Sequence, residues 1–176
     1  MTCHPRFRFA NLLIAACLLA APAFAQPLIF ERAQIRIDPV AIAPAPAEGQ
    51  APVPRIPISY DVEVRAEDAL KLEYIHTLNT LTDTTGVVIT FNVPSIVALP
   101  RMQVFTPVDA VFVAEDGTIL QIYPDVVLAE LTQDVYAKEP VKGFVFLKAG
   151  EVAARNILPK DIIAGPMFYP APPVMQ

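Results

Sequence analysis

Val104 to Tyr123 reads V-F-T-P-V-D-A-V-F-V-A-E-D-G-T-I-L-Q-I-Y. Two runs rich in β-branched and aromatic residues flank Asp116-Gly117. That dipeptide suits a type I′ turn with φ > 0 at both central positions, so a tight hairpin is expected here. Ala110 to Ala114 is apolar at five successive positions, which predicts a strand covered on both faces rather than an edge strand. A single charge, Asp109, stands at the entrance to that strand.

Working outward, the residues before the hairpin alternate in the same β manner. In the segment from Pro27 to Asp38, Ala33, Ile35 and Ile37 alternate with Gln34 and Arg36, the pattern of a half-buried strand with two wet positions. Ile58 to Arg65 alternates cleanly, and Val87 to Val93 follows Gly86 and stops at Pro94. Between them, Ala66 to His76 favours a short helix. Glu67 and Asp68 lie in its first turn, and Ala69, Leu72 and Ile75 mark a buried stripe.

Beyond the hairpin, Val126 to Leu131 reads as a short strand and Val141 to Lys148 as a stronger one. A helix of one to two turns is expected from Glu151 through Ala154 and Arg155, then a turn at Ile157 to Asp161 and a last strand from Ile162 to Ala164. No internal repeat is visible. Many short strands, close turn signals and one or two short helices predict a mainly β fold, a small sandwich or partly open barrel.

Two regions stand outside this pattern. Pro39 to Pro57 holds six prolines and no apolar period, so it reads as a loop or extended linker, with trypsin expected to cut first after Arg55. The tail from Pro166 carries four prolines and is expected to fray.

The first 25 residues form a targeting signal: Arg6 and Arg8 ahead of the apolar run Phe9 to Ala21, then Ala23-Phe24-Ala25 before Gln26. The run is too short to span a bilayer, which takes roughly 20 apolar residues. Ile14-Ala15-Ala16-Cys17 offers a second reading, a lipoprotein signal acylated at Cys17, but Leu18-Leu19-Ala20 follows where such chains turn polar. The expected organisation is therefore a signal over 1–25 and a strand plus linker over 26–58. A single β domain over 59–166 and a Pro-rich tail over 167–176 complete it. The expected location is the bacterial periplasm or medium, with no transmembrane segment after cleavage.

Losing the signal moves the formal net charge from −5 to −7, because Arg6 and Arg8 leave with no acid. An acidic chain with scattered cations lacks the basic face that nucleic acid requires. Both cysteines, Cys3 and Cys17, lie in the signal, so no disulfide and no thiolate chemistry is expected in the domain. About 150 residues remain, enough for one core that must supply the stability by burial.

The order of segments resembles a family known as domain of unknown function 192, over roughly Tyr60 to Gly165. Val62-Glu63-Val64-Arg65-Ala66 is similar to its opening strand, and Gly86 to Phe91 resembles a later one. Pro107-Val108-Asp109 with Phe112 and Asp116-Gly117 is similar to its hairpin. Tyr136, Pro140 and Phe144 to Gly150 resemble its penultimate strand, and Ile157 to Asp161 its closing turn. The chain departs from the family at Leu72 to His76, at Pro100-Arg101-Met102-Gln103, which lacks the family's tryptophan, and at Lys160, where the family has glycine. The resemblance implies a small exported β domain and assigns no activity.

Candidate chemistry is sparse. His76 is the one histidine outside the signal and reads as a helix-end residue. With no cysteine beside it, the usual zinc or copper ligand sets cannot be assembled, so no metal and no cofactor are expected. Glu67/Asp68 and Glu115/Asp116 are explained by helix-start electrostatics and turn chemistry before a calcium site is needed. No nucleophile elbow, phosphate loop or dinucleotide motif occurs among only six glycines.

Asp109 is the sharper case. As a structural group it would accept backbone N–H groups at a strand start or pair with Arg101 or Arg155. As a functional group it would line a cleft. Asp109, Arg101 and Met102 are the candidate ligand or structural polar site, and no residue is assigned as catalytic. The reading is a non-catalytic exported β domain that binds an envelope protein, a glycan or a small ligand. The alternative is a carboxylate-dependent hydrolase or lyase using Asp109, which a second carboxylate, or a lysine, converging on it inside a deep pocket would favour.

Overall fold

A computed structural model describes residues 31–40, 55–66 and 75–168. Its elements are β1 (Glu31–Asp38), β2 (Ile58–Ala66), β3 (Thr85–Ser95), β4 (Val108–Val113), β5 (Ile119–Val126), β6 (Val141–Lys148), α1 (Glu151–Ala154) and β7 (Ile162–Ala164). Short 3-10 turns occupy His76–Asn79 and Leu128–Glu130. The strands make one seven-stranded sheet in the order β5-β4-β6-β3-β2-β1-β7, curled into a half-barrel. The expected partly open barrel is thus the architecture found.

Every pairing is antiparallel except β2 with β3. A parallel pair cannot be joined by a tight turn, so a crossover from Glu67 to Thr84 separates these two strands. Most of the helix expected over Ala66 to His76 falls on 67–74, outside the described residues. Of its ends, Ala66 closes β2 and His76 opens a 3-10 turn.

The five-residue apolar run has its physical reason in two apolar clusters, one on each face of the sheet. All six residues of β4 are buried. Val111 and Val113 face the concave side with Ile35, Ile37, Tyr60, Val145 and Ile163. Val108, Ala110 and Phe112 face the outer side with Val87, Ile89, Phe144 and Phe146. Phe112 and Phe144 meet edge to face, with ring centroids 4.8 Å apart. The outer cluster is roofed by two irregular segments that bond to each other. Leu99 N–H donates to the Val135 carbonyl at 2.8 Å, and Ala137 N–H donates to that of Val97 at 2.9 Å. These segments bring Leu99, Met102, Val104 and Leu128 onto the sheet.

The hairpin forms where expected, but with a different turn. Gly117 N–H donates to the Ala114 carbonyl at 3.1 Å, and Ala114 N–H donates to that of Thr118 at 2.9 Å. Gly117 has φ +84°, and Asp116 is not among the described residues with positive φ. This is a three-residue loop, a type I turn followed by a glycine bulge, in which only one position needs φ > 0. Asp116 serves through its side chain instead, its Oδ1 accepting Thr118 N–H at 2.9 Å.

The two edges of the sheet meet at this turn. Thr118 bridges Ile162. Ile119 N–H donates to the Asp161 carbonyl at 2.8 Å, Lys160 N–H to Ile119 at 2.7 Å, and Ile163 N–H to Gly117 at 2.8 Å. A Cβ on Gly117 would lie 2.2 Å from the Ile163 carbonyl oxygen, so glycine is required both for backbone angle and for close approach.

Other boundaries move. Val126 to Leu131 is not a separate strand: β5 runs to Val126, and the chain then turns through Leu128–Glu130. β3 continues through Pro94 to Ser95, with an irregular register there that accommodates the missing N–H. The strand assigned to the segment ahead of the domain, β1, is integral, lying between β2 and β7. Phe168, expected in a fraying tail, is buried in the concave cluster. Residues 41–54 of the expected linker and 169–176 of the expected tail lie outside the described residues, as do residues 1–30, with the expected signal and both cysteines.

Candidate functional site

Three carboxylates are buried among the described residues: Asp109, Glu151 and Asp161. Asp109 shares the concave side with Val111 and Val113 by strand alternation, yet it is 0% exposed. Opposite it, β5 carries a bulge. Ala110 pairs with Tyr123 and Val108 with Val126, so Pro124 and Asp125 together face one residue. Proline has no N–H to give, and Asp125 adopts φ +51°. The Asp125 N–H donates to Asp109 Oδ1 at 3.0 Å, and the Val152 N–H of α1 donates to Oδ2 at 2.8 Å. Both oxygens are therefore spent on the scaffold, stitching the end of β5 and the start of α1 to β4.

Glu151 lies next to this bond. It accepts the Tyr60 hydroxyl at 3.2 Å and Arg155 Nε at 3.2 Å. Burial raises the Tyr60 phenol well above its ordinary value of 10.0, and the Glu151 charge, the hydrogen bond and Asp109 push the same way against Arg155. The phenol stays a donor at any physiological pH. Two carboxylates and a phenol therefore do converge, but at the start of α1 and largely buried.

Asp161 makes a second clasp, one unanticipated from the sequence, at the seam where the sheet edges meet. Its Oδ1 accepts Val40 N–H at 3.0 Å, its Oδ2 accepts Leu158 N–H at 2.8 Å, and the Arg55 guanidinium forms an ion pair with it. Val40 and Arg55 flank the Pro-rich segment, so one carboxylate holds both of its ends. Arg55, taken from sequence as an accessible cleavage point, has a side chain only 12% exposed. The available signal was an aspartate three residues past Leu158 in a proline turn, the pattern of a side chain bonding back to its own backbone.

The other candidates fall elsewhere. Arg101 pairs with Asp134 at 2.9 Å on the exposed roof, while Met102 is 3% exposed within the outer cluster. Asp109 faces the opposite side of the sheet, so the structure does not bring the three together. His76 is exposed at the start of its 3-10 turn. Among the described residues no group of three or more His, Cys, Asp or Glu is arranged to hold a metal ion. No helix among them is long and apolar enough to cross a membrane.

One sizeable cavity opens to solvent on the outer side of β1 and β2, with a volume of about 410 Å³. Its walls include Arg32, Asp61, Glu63, Thr77, Thr80 and Thr85. Strand register places these groups together: Arg32 is opposite Glu63, and Asp61 is opposite Gln34 on one side and Thr85 on the other. Glu63 is fixed by Arg65 and by the Thr77 hydroxyl.

The profile of DUF192, a family described as "Uncharacterized ACR", matches residues 54–164. No curated protein matches. Two solved structures are similar in fold. One, from Sinorhizobium meliloti 1021 and described as a candidate transcription regulator, is 22% identical, with a TM-score of 0.60 over 79% of this chain and 97% of its own. The other, of unknown function from Novosphingobium aromaticivorans DSM 12444, is 18% identical, with a TM-score of 0.61 over 88% of this chain and 99% of its own.

Proposed function

Because this chain belongs to the DUF192 family, to which no activity is attached, its function must be read from its own groups, and we propose a non-catalytic exported β domain that binds a ligand or partner of the cell envelope. The observation supporting this is the division of its polar groups. Asp109, Glu151 and Asp161 are 0%, 7% and 1% exposed, and each is engaged by donors of the scaffold. A carboxylate that is buried and already bonded to the scaffold has little capacity left for a substrate. Among the groups that do meet solvent, Arg32, Asp61 and Thr80 line an open cavity of the size small-ligand sites have. The convergence of Glu151 on Asp109 is the one feature favouring a carboxylate-dependent hydrolase or lyase, and its burial argues against that reading.

Asp109→Asn separates the two. The amide keeps the shape but loses the charge and offers one acceptor to two N–H donors, so thermal and denaturant melts should show a loss of about 1–3 kcal/mol. Equal or greater stability would mark Asp109 as a charge held at a cost to the fold and would favour the enzyme. Export is tested by intact mass: the secreted chain should begin at Gln26, and a diacylated start at Cys17 would make it a membrane-anchored protein.

A further inference from the structure

We infer that the outer cavity between β1, β2 and the His76–Asn79 turn is a binding site for a neutral polyhydroxylated ligand, a saccharide unit. This deepens the proposed binding role and rests on it. The charges around the cavity balance. Arg32 opposes Asp61, while the charge of Glu63 is already matched by Arg65. These local charges therefore favour neither a strongly anionic nor a strongly cationic ligand.

Two of the lining side chains, Arg32 and Asp61, nevertheless keep hydrogen-bonding capacity for a ligand. Because Glu63 is taken by Arg65 and Thr77, its cross-strand neighbour Arg32 is left with no hydrogen-bond or ion-pair partner among the described residues. Asp61 receives only a marginal bond from Gln34, at 3.5 Å. A guanidinium only donates and a carboxylate only accepts, while the hydroxyls of Thr77 and Thr80 already donate, to Glu63 and to the Thr77 carbonyl, and so present lone pairs to a ligand. Adjacent sugar hydroxyls, each donor and acceptor, can answer a donor on one wall and an acceptor on the other. No aromatic ring is among the described lining, so there is no stacking platform, and binding is set by hydrogen bonds, with dissociation constants in the millimolar range expected.

The test is a titration of the ¹⁵N-labelled protein with maltose and N,N′-diacetylchitobiose, with glutamate and spermidine as charged probes. At least one saccharide should shift the Thr77, Thr80, Thr85 and Gly86 amides saturably at concentrations up to roughly 50 mM. Arg32→Ala and Asp61→Ala should each weaken that binding about tenfold or more with unchanged melting, while the distant Lys138→Ala should leave it intact. Absence of saccharide shifts at these amides, or shifts unaffected by both variants, would overturn the inference. Binding of a charged probe there instead would overturn it too, yet leave the domain a binder. Failure of the broader reading shows separately, as an Asp109→Asn variant that melts no lower.

Discussion

Asp109 and Asp161 are both buried, and each accepts two backbone N–H groups, yet they hold different parts of the half-barrel by different means. Asp109 works within one neighbourhood. Its donors are 16 and 43 residues away, and all of them are neutral peptide groups. Asp161 binds the chain across itself. Val40 is 121 residues away and Arg55 is 106, and Arg55 brings a full charge with only 12% of its side chain exposed. The first clasp shapes an edge of the sheet; the second ties both ends of the Pro-rich segment to the turn before β7. The difference shows that a buried carboxylate is not a site merely because it is buried. What decides is whether its acceptor capacity is already used.

The comparison breaks most sharply at Asp161. Alanine there would take the counter-charge from a largely buried guanidinium, which keeps its bond to the Asn156 carbonyl, and leave two N–H groups unanswered, at a cost of about 3–5 kcal/mol in denaturant unfolding. A loss no larger than that of Asp109→Asn would show that Arg55 contributes no more than a neutral donor. Gly117→Ala attacks the same seam from the other edge. Its Cβ would collide with the Ile163 carbonyl, and its φ of +84° is strained for alanine. Roughly 2–4 kcal/mol should be lost, combining left-handed strain with a displaced backbone bond. Faster hydrogen exchange at the Ile163 amide would place the damage at the seam.

The Asp109 end is sharpened by pH. The Tyr60 phenol is raised in the fold, so the unfolded chain releases that proton first, near its ordinary value of 10.0, and stability falls as pH rises above it. Tyr60→Phe should cost about 1 kcal/mol at neutral pH for the lost bond to Glu151. It should also flatten the alkaline decline in melting temperature above about pH 10. An unchanged alkaline slope would remove Tyr60 from the cluster's energetics. The smallest effect is expected at Lys160, a non-glycine residue with φ +78°. Lys160→Gly should relieve about 1–2 kcal/mol of left-handed strain while adding unfolded-state entropy, for a net gain of under about 1 kcal/mol. A loss instead would show that the Lys160 side chain supports the seam.

The sequence by itself determined the β class, the hairpin and the doubly covered strand, because alternation and unbroken apolar runs are local records of which faces are buried. It also pointed to Asp109 as a structural acceptor, since a charge entering an apolar strand must be satisfied by something. The turn type was missed because Asp-Gly serves both a two-residue loop and a three-residue loop with a glycine bulge, and only the register of the flanking strands chooses between them. The long-range half of the clasp at Asp161 was invisible for a related reason: Val40 and Arg55 lie in proline-rich flanks with no period, and hydrogen bonds over a hundred residues apart leave no spacing to read. The outer cavity likewise exists only once β1 and β2 are in register, because Arg32, Asp61 and Thr85 are ordinary wet strand residues until pairing puts them side by side. Local pattern records burial; which distant groups share a wall or a bond is decided by the closing of the sheet.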